Sequence, residues 1–99
     1  MDPKDRQFID DNRMQATHVV ERVAAMVTGR KHTVRAGGGS RDHDGHLYYK
    51  LFVDVGKVII TFNKDDETVR DISADFQSNN VGFWPAENAQ AIWDAEKLF

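Results

Sequence analysis

The sequence predicts a small α+β domain in which a long N-terminal helix, an antiparallel meander and a short C-terminal helix follow one another. A change of period carries that prediction. Apolar residues recur at helical spacing as far as Val27, then alternate strictly from Leu47 onward. The length of 99 residues lies near the mode for one domain, so a single core over residues 1–99 is expected. With 40% hydrophobic residues and seven glycines, the composition is that of a globular protein and not of a disordered or collagen-like chain.

Asp2-Pro3 opens the first helix: Asp2 caps free amides, and Pro3 suits a first position where its missing N–H costs nothing. Ile9, Ala16, Val20, Val23 and Val27 then form one stripe, widened by Phe8, Val19 and Ala24. Asp10-Asp11-Asn12 favours helix weakly, so the first turns are expected as a separate piece. Gly29 supplies the stop, and Arg30-Lys31 suits the negative end of the helix dipole.

A short strand is expected over 32–36, ahead of a loop formed by Gly37-Gly38-Gly39-Ser40. Leu47, Tyr49, Leu51, Val53 and Val55 alternate with Tyr48, Lys50, Phe52 and Asp54. Gly56-Lys57 reads as a type II′ turn that pairs Val55 with Val58. Leu51, Val53, Val55, Val58, Ile60 and Phe62 then share one apolar face. After a polar loop over 63–67, Thr68–Phe76 reads as a strand that adds Ile72, Ala74 and Phe76 to that face. Beyond Gln77-Ser78-Asn79-Asn80, Val81–Trp84 leads into Pro85 and a short helix carrying Ala89, Ile92, Trp93 and Phe99. The predicted order is α-β-β-β-β-α: a four-stranded antiparallel meander with the long N-terminal helix packed on one face.

The same register specifies the opposite face, with Asp54 beside Ile59, Phe52 beside Thr61 and Lys50 beside Asn63. Tyr48, Phe52, Ile59 and Val69 then form a surface fringed by Lys50, Asp54, Asp71 and Asp75. Two readings compete. Either the C-terminal helix covers this surface with Trp93 and Phe99, or it is an aromatic-centred, charge-rimmed interface for a partner protein or a second copy.

His32, His43 and His46 surround a glycine-rich stretch. Asp42, His43, Asp44 and His46 offer nitrogen and oxygen ligands to a metal, and His32 could close such a site. Against it, the ligands are nearly contiguous. Asp42-x-Asp44-Gly45 shares part of a calcium loop, but Leu51 stands where that loop needs glutamate. Gly37-Gly38-Gly39-Ser40 lacks the lysine of a phosphate loop.

The strand histidine after a Gly-Ser turn (Gly39-Ser40, then His46) resembles the Gly-Ser-His segment of HicA-type messenger-RNA-cleaving toxins, small αβββα domains. That resemblance implies His46 as a general base and Arg41 or Lys50 as phosphate contacts. Apart from it, His43 is the alternative catalytic histidine of the same loop. This chain departs from the pattern in the six-residue separation of Ser40 from His46 and in its acidic balance.

The net charge of −3 hides a polarity, +2 over residues 1–50 and −5 over residues 51–99. Bulk attraction to nucleic acid is thereby disfavoured, although Arg35, Arg41, Tyr48 and Lys50 could contact a single strand locally. The charged N-terminus and the short apolar runs predict a cytoplasmic protein with no membrane segment. With no cysteine, thiol chemistry and disulfides are excluded. Nucleophile triads and nucleotide fingerprints are not legible. The expected function is therefore a non-enzymatic protein-binding module, accessory or inhibitory and able to form homodimers, with no cofactor. Its binding surface is expected at Tyr48, Lys50, Phe52, Asp54, Ile59, Val69 and Asp71. A metal- or histidine-dependent hydrolase at residues 41–46 and an RNA or single-stranded-DNA binder are the alternatives.

Overall fold

Asp2 caps the first helix through its carboxylate, which accepts from the Lys4 N–H at 2.7 Å. The computed structural model describes residues 1–77 and 80–97, so Ser78-Asn79 and the expected core contact of Phe99 lie outside the described residues. Helix α1 (Pro3–Asp11) ends at Asn12, and α2 (Arg13–Thr28) begins directly after it, so the weak helical segment does divide the first turns from the rest. Asn12 Nδ2 donates to the Phe8 carbonyl at 2.9 Å and closes the break. Ile9, Ala16, Val19, Val20, Val23 and Ala24 are buried, as the predicted stripe requires.

Five strands follow: β1 (Ala36–Arg41), β2 (Leu47–Val53), β3 (Gly56–Phe62), β4 (Val69–Phe76) and β5 (Asn80–Pro85), before helix α3 (Ala86–Ala95). They form one antiparallel sheet in chain order. The α+β class and the meander stand, and the strand count is five instead of four. The run Val81–Trp84 supplies the extra strand, pairing with β4 before helix α3 begins. The first strand is displaced and not added: β1 is the glycine stretch itself and not residues 32–36.

Within strand β1, Gly39 admits the close approach of α1. A side chain at Gly39 would run into the Ile9 side chain and the Tyr48 carbonyl. The β2–β3 turn is Asp54-Val55, with Val53 opposite Gly56. Gly56 opens β3 at φ +152°, where a side chain would strike the Asp75 carbonyl and Phe76 of β4. Ile59 consequently faces Lys50 instead of Asp54. Because the slip is an even number of residues, each side chain on β2 and β3 keeps its predicted face.

Val69 does not. A bulge between Thr61 and Phe62 pairs Thr61 with Asp71 but Phe62 with Val69, leaving Arg70 as the extra residue. That inversion turns Val69 into the core, where it is 3% exposed, and removes it from the predicted outer surface. The Val69 N–H, freed from the ladder, donates to Gln90 Oε1 of α3 at 2.6 Å.

All three helices pack against the same sheet face. Trp93 of α3 stacks on Tyr49 and meets Phe62 edge-on, with ring centroids 6.3 and 5.1 Å apart. Phe8 of α1 meets Phe62 at 5.0 Å. Tyr49 is fully buried, and its hydroxyl donates to the Ile9 carbonyl at 2.7 Å; burial pushes the phenol pKa up. Gln15 of α2 donates to the Trp93 carbonyl at 2.9 Å.

The close approach at Gly39 predicts a contrast between neighbouring glycines. Gly39→Ala is expected to cost about 1–3 kcal/mol through overpacking against Ile9. Gly38→Ala, with open space around it, is expected to be neutral or to stabilise by up to about 1 kcal/mol. Urea unfolding of both variants checks this; equal effects would contradict the placement of α1 on β1.

Candidate functional site

With the helices gathered on one side, the other face of the sheet is left without a covering element among the described residues. Strand register arranges its side chains in three rows. Across β1 to β5, the first row reads Ser40, Tyr48, Thr61, Asp71, Pro85. The second reads Gly38, Lys50, Ile59, Ser73, Phe83, and the third Ala36, Phe52, Lys57, Asp75, Val81. Tyr48, Lys50, Phe52, Ile59 and Asp71 are therefore brought together as the sequence predicted. Val69 is in the core, and Asp54 is drawn onto the turn.

The sequence reading missed Val81 and Phe83. They are 68% and 63% exposed, and Phe52 is 36% exposed, so half of the exposed large hydrophobic residues among the described residues stand on this one face. The alternation of Val81-Gly82-Phe83-Trp84 was the available signal, masked by the helix-opening proline behind it. Lys50 Nζ sits 6.0 Å from the centroid of the Phe52 ring, a long cation–π contact. A shallow depression of about 260 Å³ lies between Asp42, Tyr48, Lys50 and Ile59.

Asp54 instead joins a cluster at the end of α2. The His32 side chain is fully buried, with Nδ1 2.6 Å from Asp54 Oδ1 and Nε2 2.6 Å from Thr28 Oγ1. Arg30 adds an ion pair to Asp54 at 3.0 Å. Hydroxyl, imidazole and carboxylate stand in the order of a hydrolase triad. Here, however, Thr28 Oγ1 also donates to the Ala24 carbonyl at 2.8 Å. The carbonyl end of α2 would oppose an oxyanion. The cluster is a clamp that ties α2 to the β2–β3 turn.

The β1–β2 loop gathers donor atoms of Asp42, Asp44 and His46 within 4.8 Å of one another. His43 is not in that group, and its side chain is 92% exposed. Asp42 Oδ1 already accepts from the backbone N–H groups of His46 and Asp44, both at 2.9 Å, and these hold its carboxyl below the usual range. Arg70 lies against His46 Nε2, which sets a guanidinium where a metal or a proton acceptor would act. Nor is Arg41 free: its guanidinium grips Asp5 through two contacts of 2.7 Å and holds that carboxyl low. The cleft beside this pair, lined by Phe8, Leu47, Phe62 and Lys64 among others, measures about 220 Å³, smaller than ordinary ligand pockets. No described helix is long and apolar enough to cross a membrane.

No protein-family model, curated protein or solved structure matches this chain.

Hydrogen bonds from His32 and then Arg30 hold the Asp54 carboxyl at about 2, below its ordinary 3.8. A lowered folded-state value stabilises above the unfolded value and is lost as pH falls through the folded one. Stability is thus expected to drop between about pH 4 and pH 2, and Asp54→Asn is expected to flatten that part of the profile. Urea midpoints measured across this window check it; an unchanged slope in the variant would contradict the clamp.

Proposed function

We propose that the chain is a non-enzymatic protein-binding module, accessory or inhibitory, whose outer sheet face is the binding surface. The observation that carries this reading is the one-sided packing of the helices. A five-stranded sheet keeps Tyr48, Phe52, Ile59, Val81 and Phe83 outward, interleaved with Lys50, Lys57, Asp71 and Asp75. Aromatic and aliphatic groups on β2, β3 and β5 supply area, and the charges interleaved with them, Lys57, Asp71 and Asp75 on the inner strands, supply selectivity.

The alternatives weigh less. Carboxylates of Asp71 and Asp75 on the same face oppose a nucleic-acid backbone, whereas they suit a protein with complementary charge. The hydrolytic reading at His46 rests on side chains that Arg70 and the loop's own N–H groups already engage.

Affinity purification from the source cells, with Phe52→Ala/Ile59→Ala beside the wild type, tests the reading. The double variant is expected to lose self-association and partner binding by about tenfold or more. A His43→Ala/His46→Ala variant is expected to retain both. The reading fails if the double variant, still folded by circular dichroism, keeps both at wild-type strength.

A further inference from the structure

We propose that the occupant of the outer face is a second copy of this chain, docked sheet to sheet about a twofold axis that runs parallel to the strands between β3 and β4. This deepens the protein-binding reading and rests on it. The arrangement of charge in the three rows selects both the occupant and the axis.

A twofold axis along the strands keeps every residue in its row and exchanges strands in mirror order. Placed along β3, such an axis sets Lys57 against Lys57; placed along β4, it sets Asp71 against Asp71 and Asp75 against Asp75. An axis perpendicular to the strands through the middle row brings Asp71 onto Asp75 and Lys50 onto Lys50. Between β2 and β3, Lys57 faces Phe52, and Asp75 faces Ala36. Between β3 and β4, every charge finds a suitable neighbour. Lys57 of one copy faces Asp75 of the other, twice, and Thr61 faces Asp71 as a hydroxyl donor.

The same axis exchanges β2 with β5, and this is where the exposed apolar residues meet. Phe52 faces Val81, Lys50 faces the Phe83 ring, and Tyr48 faces Pro85. The exposed side chains of Phe52, Val81 and Phe83 are covered by one operation that also pairs the charges. Aligned sheets cross at about 30°, so the pairs nearest the axis keep this register best, and Lys57–Asp75 is among them.

The four facing strands β2–β5, about 4.8 Å apart, span about 14 Å between their outer strand axes, so the interface is at the small end of specific ones. A reversible dimer in the micromolar range is expected, and like-charge juxtaposition weakens it strongly.

Charge reversal tests the axis directly. Sedimentation velocity of the full chain, from about 5 to about 500 µM, brackets a small reversible interface. The wild type is expected to dimerise within that range. Lys57→Glu alone places Glu opposite Asp75, and Asp75→Lys alone places Lys opposite Lys57, so each is expected to weaken self-association about tenfold or more. An equimolar mixture of the two single variants is expected to dimerise again, because each interface pair is then Glu–Lys or Asp–Lys. The mixture leaves the like-charged cross-strand pair inside each copy unchanged, so its rescue separates the interface from folding; circular dichroism of each variant confirms the fold. A monomeric wild type at the highest concentration, a dimer indifferent to both reversals, or a mixture that stays monomeric overturns the proposal. If it falls while Phe52→Ala/Ile59→Ala still abolishes binding to another protein, only the second copy is excluded, and the protein-binding reading stands.

Discussion

Tyr49 is the side chain on which the two-layer arrangement depends. Its ring packs against both Phe62 and Trp93, and its hydroxyl reaches the carbonyl of Ile9. One residue thereby joins β2, β3, α3 and the end of α1. Burying the ring without a partner for its hydroxyl would be costly, so the Ile9 carbonyl must be close and α1 must lie low on the sheet. Gly39 is what permits that approach. The same cluster draws Trp93, and α3 with it, to the face where α2 already packs. Among the described residues, the outer face is therefore bare as a consequence of how the inner face is assembled.

The sequence made this legible to the extent that period and face decide structure. Alternation along Leu47–Val53 and Gly56–Phe62 fixed which side chains point inward, and an even slip of the hairpin could not disturb that. Position along the strand was a weaker inference. Turns favour glycine, so Gly56 predicts a turn, whereas its role is to let β4 pass close by. Val69 went to the wrong face because one extra residue, Arg70, inverts the alternation, and a bulge has no signature in a single sequence. The glycine stretch and the Val81–Trp84 run were hidden for a related reason. Glycine and proline mark breaks by composition, but an edge strand tolerates both.

The candidate surface was legible in its centre and not in its margin. Tyr48, Lys50, Phe52, Ile59 and Asp71 follow from strand parity alone. Asp54 left the surface because a buried imidazole with two ring nitrogens needs partners on both sides, and Asp54 and Thr28 provide them. Burial of His32 depends on a fold that no local pattern announces. Likewise, Val81 and Phe83 belong to the surface only once β5 is known to pair with β4.

A sheet face that is open and partly aromatic is a hazard for any chain, since flat apolar surfaces stack without discrimination. Two features limit that hazard here, and both bear on what the face is for. The edges are poor templates: β1 is short and glycine-rich, and β5 ends in Pro85. Within the face, the charged columns are of opposite sign, with Lys57 on β3 beside Asp71 and Asp75 on β4. Most ways of stacking two such faces bring like charges together, and those arrangements are suppressed by the same side chains that favour one alignment. A purely protective arrangement would need only a uniform sign, because copies that repel everywhere never stack. Opposite signs in adjacent columns leave an attractive alignment available, and they place it where Phe52 and Val81 come into register.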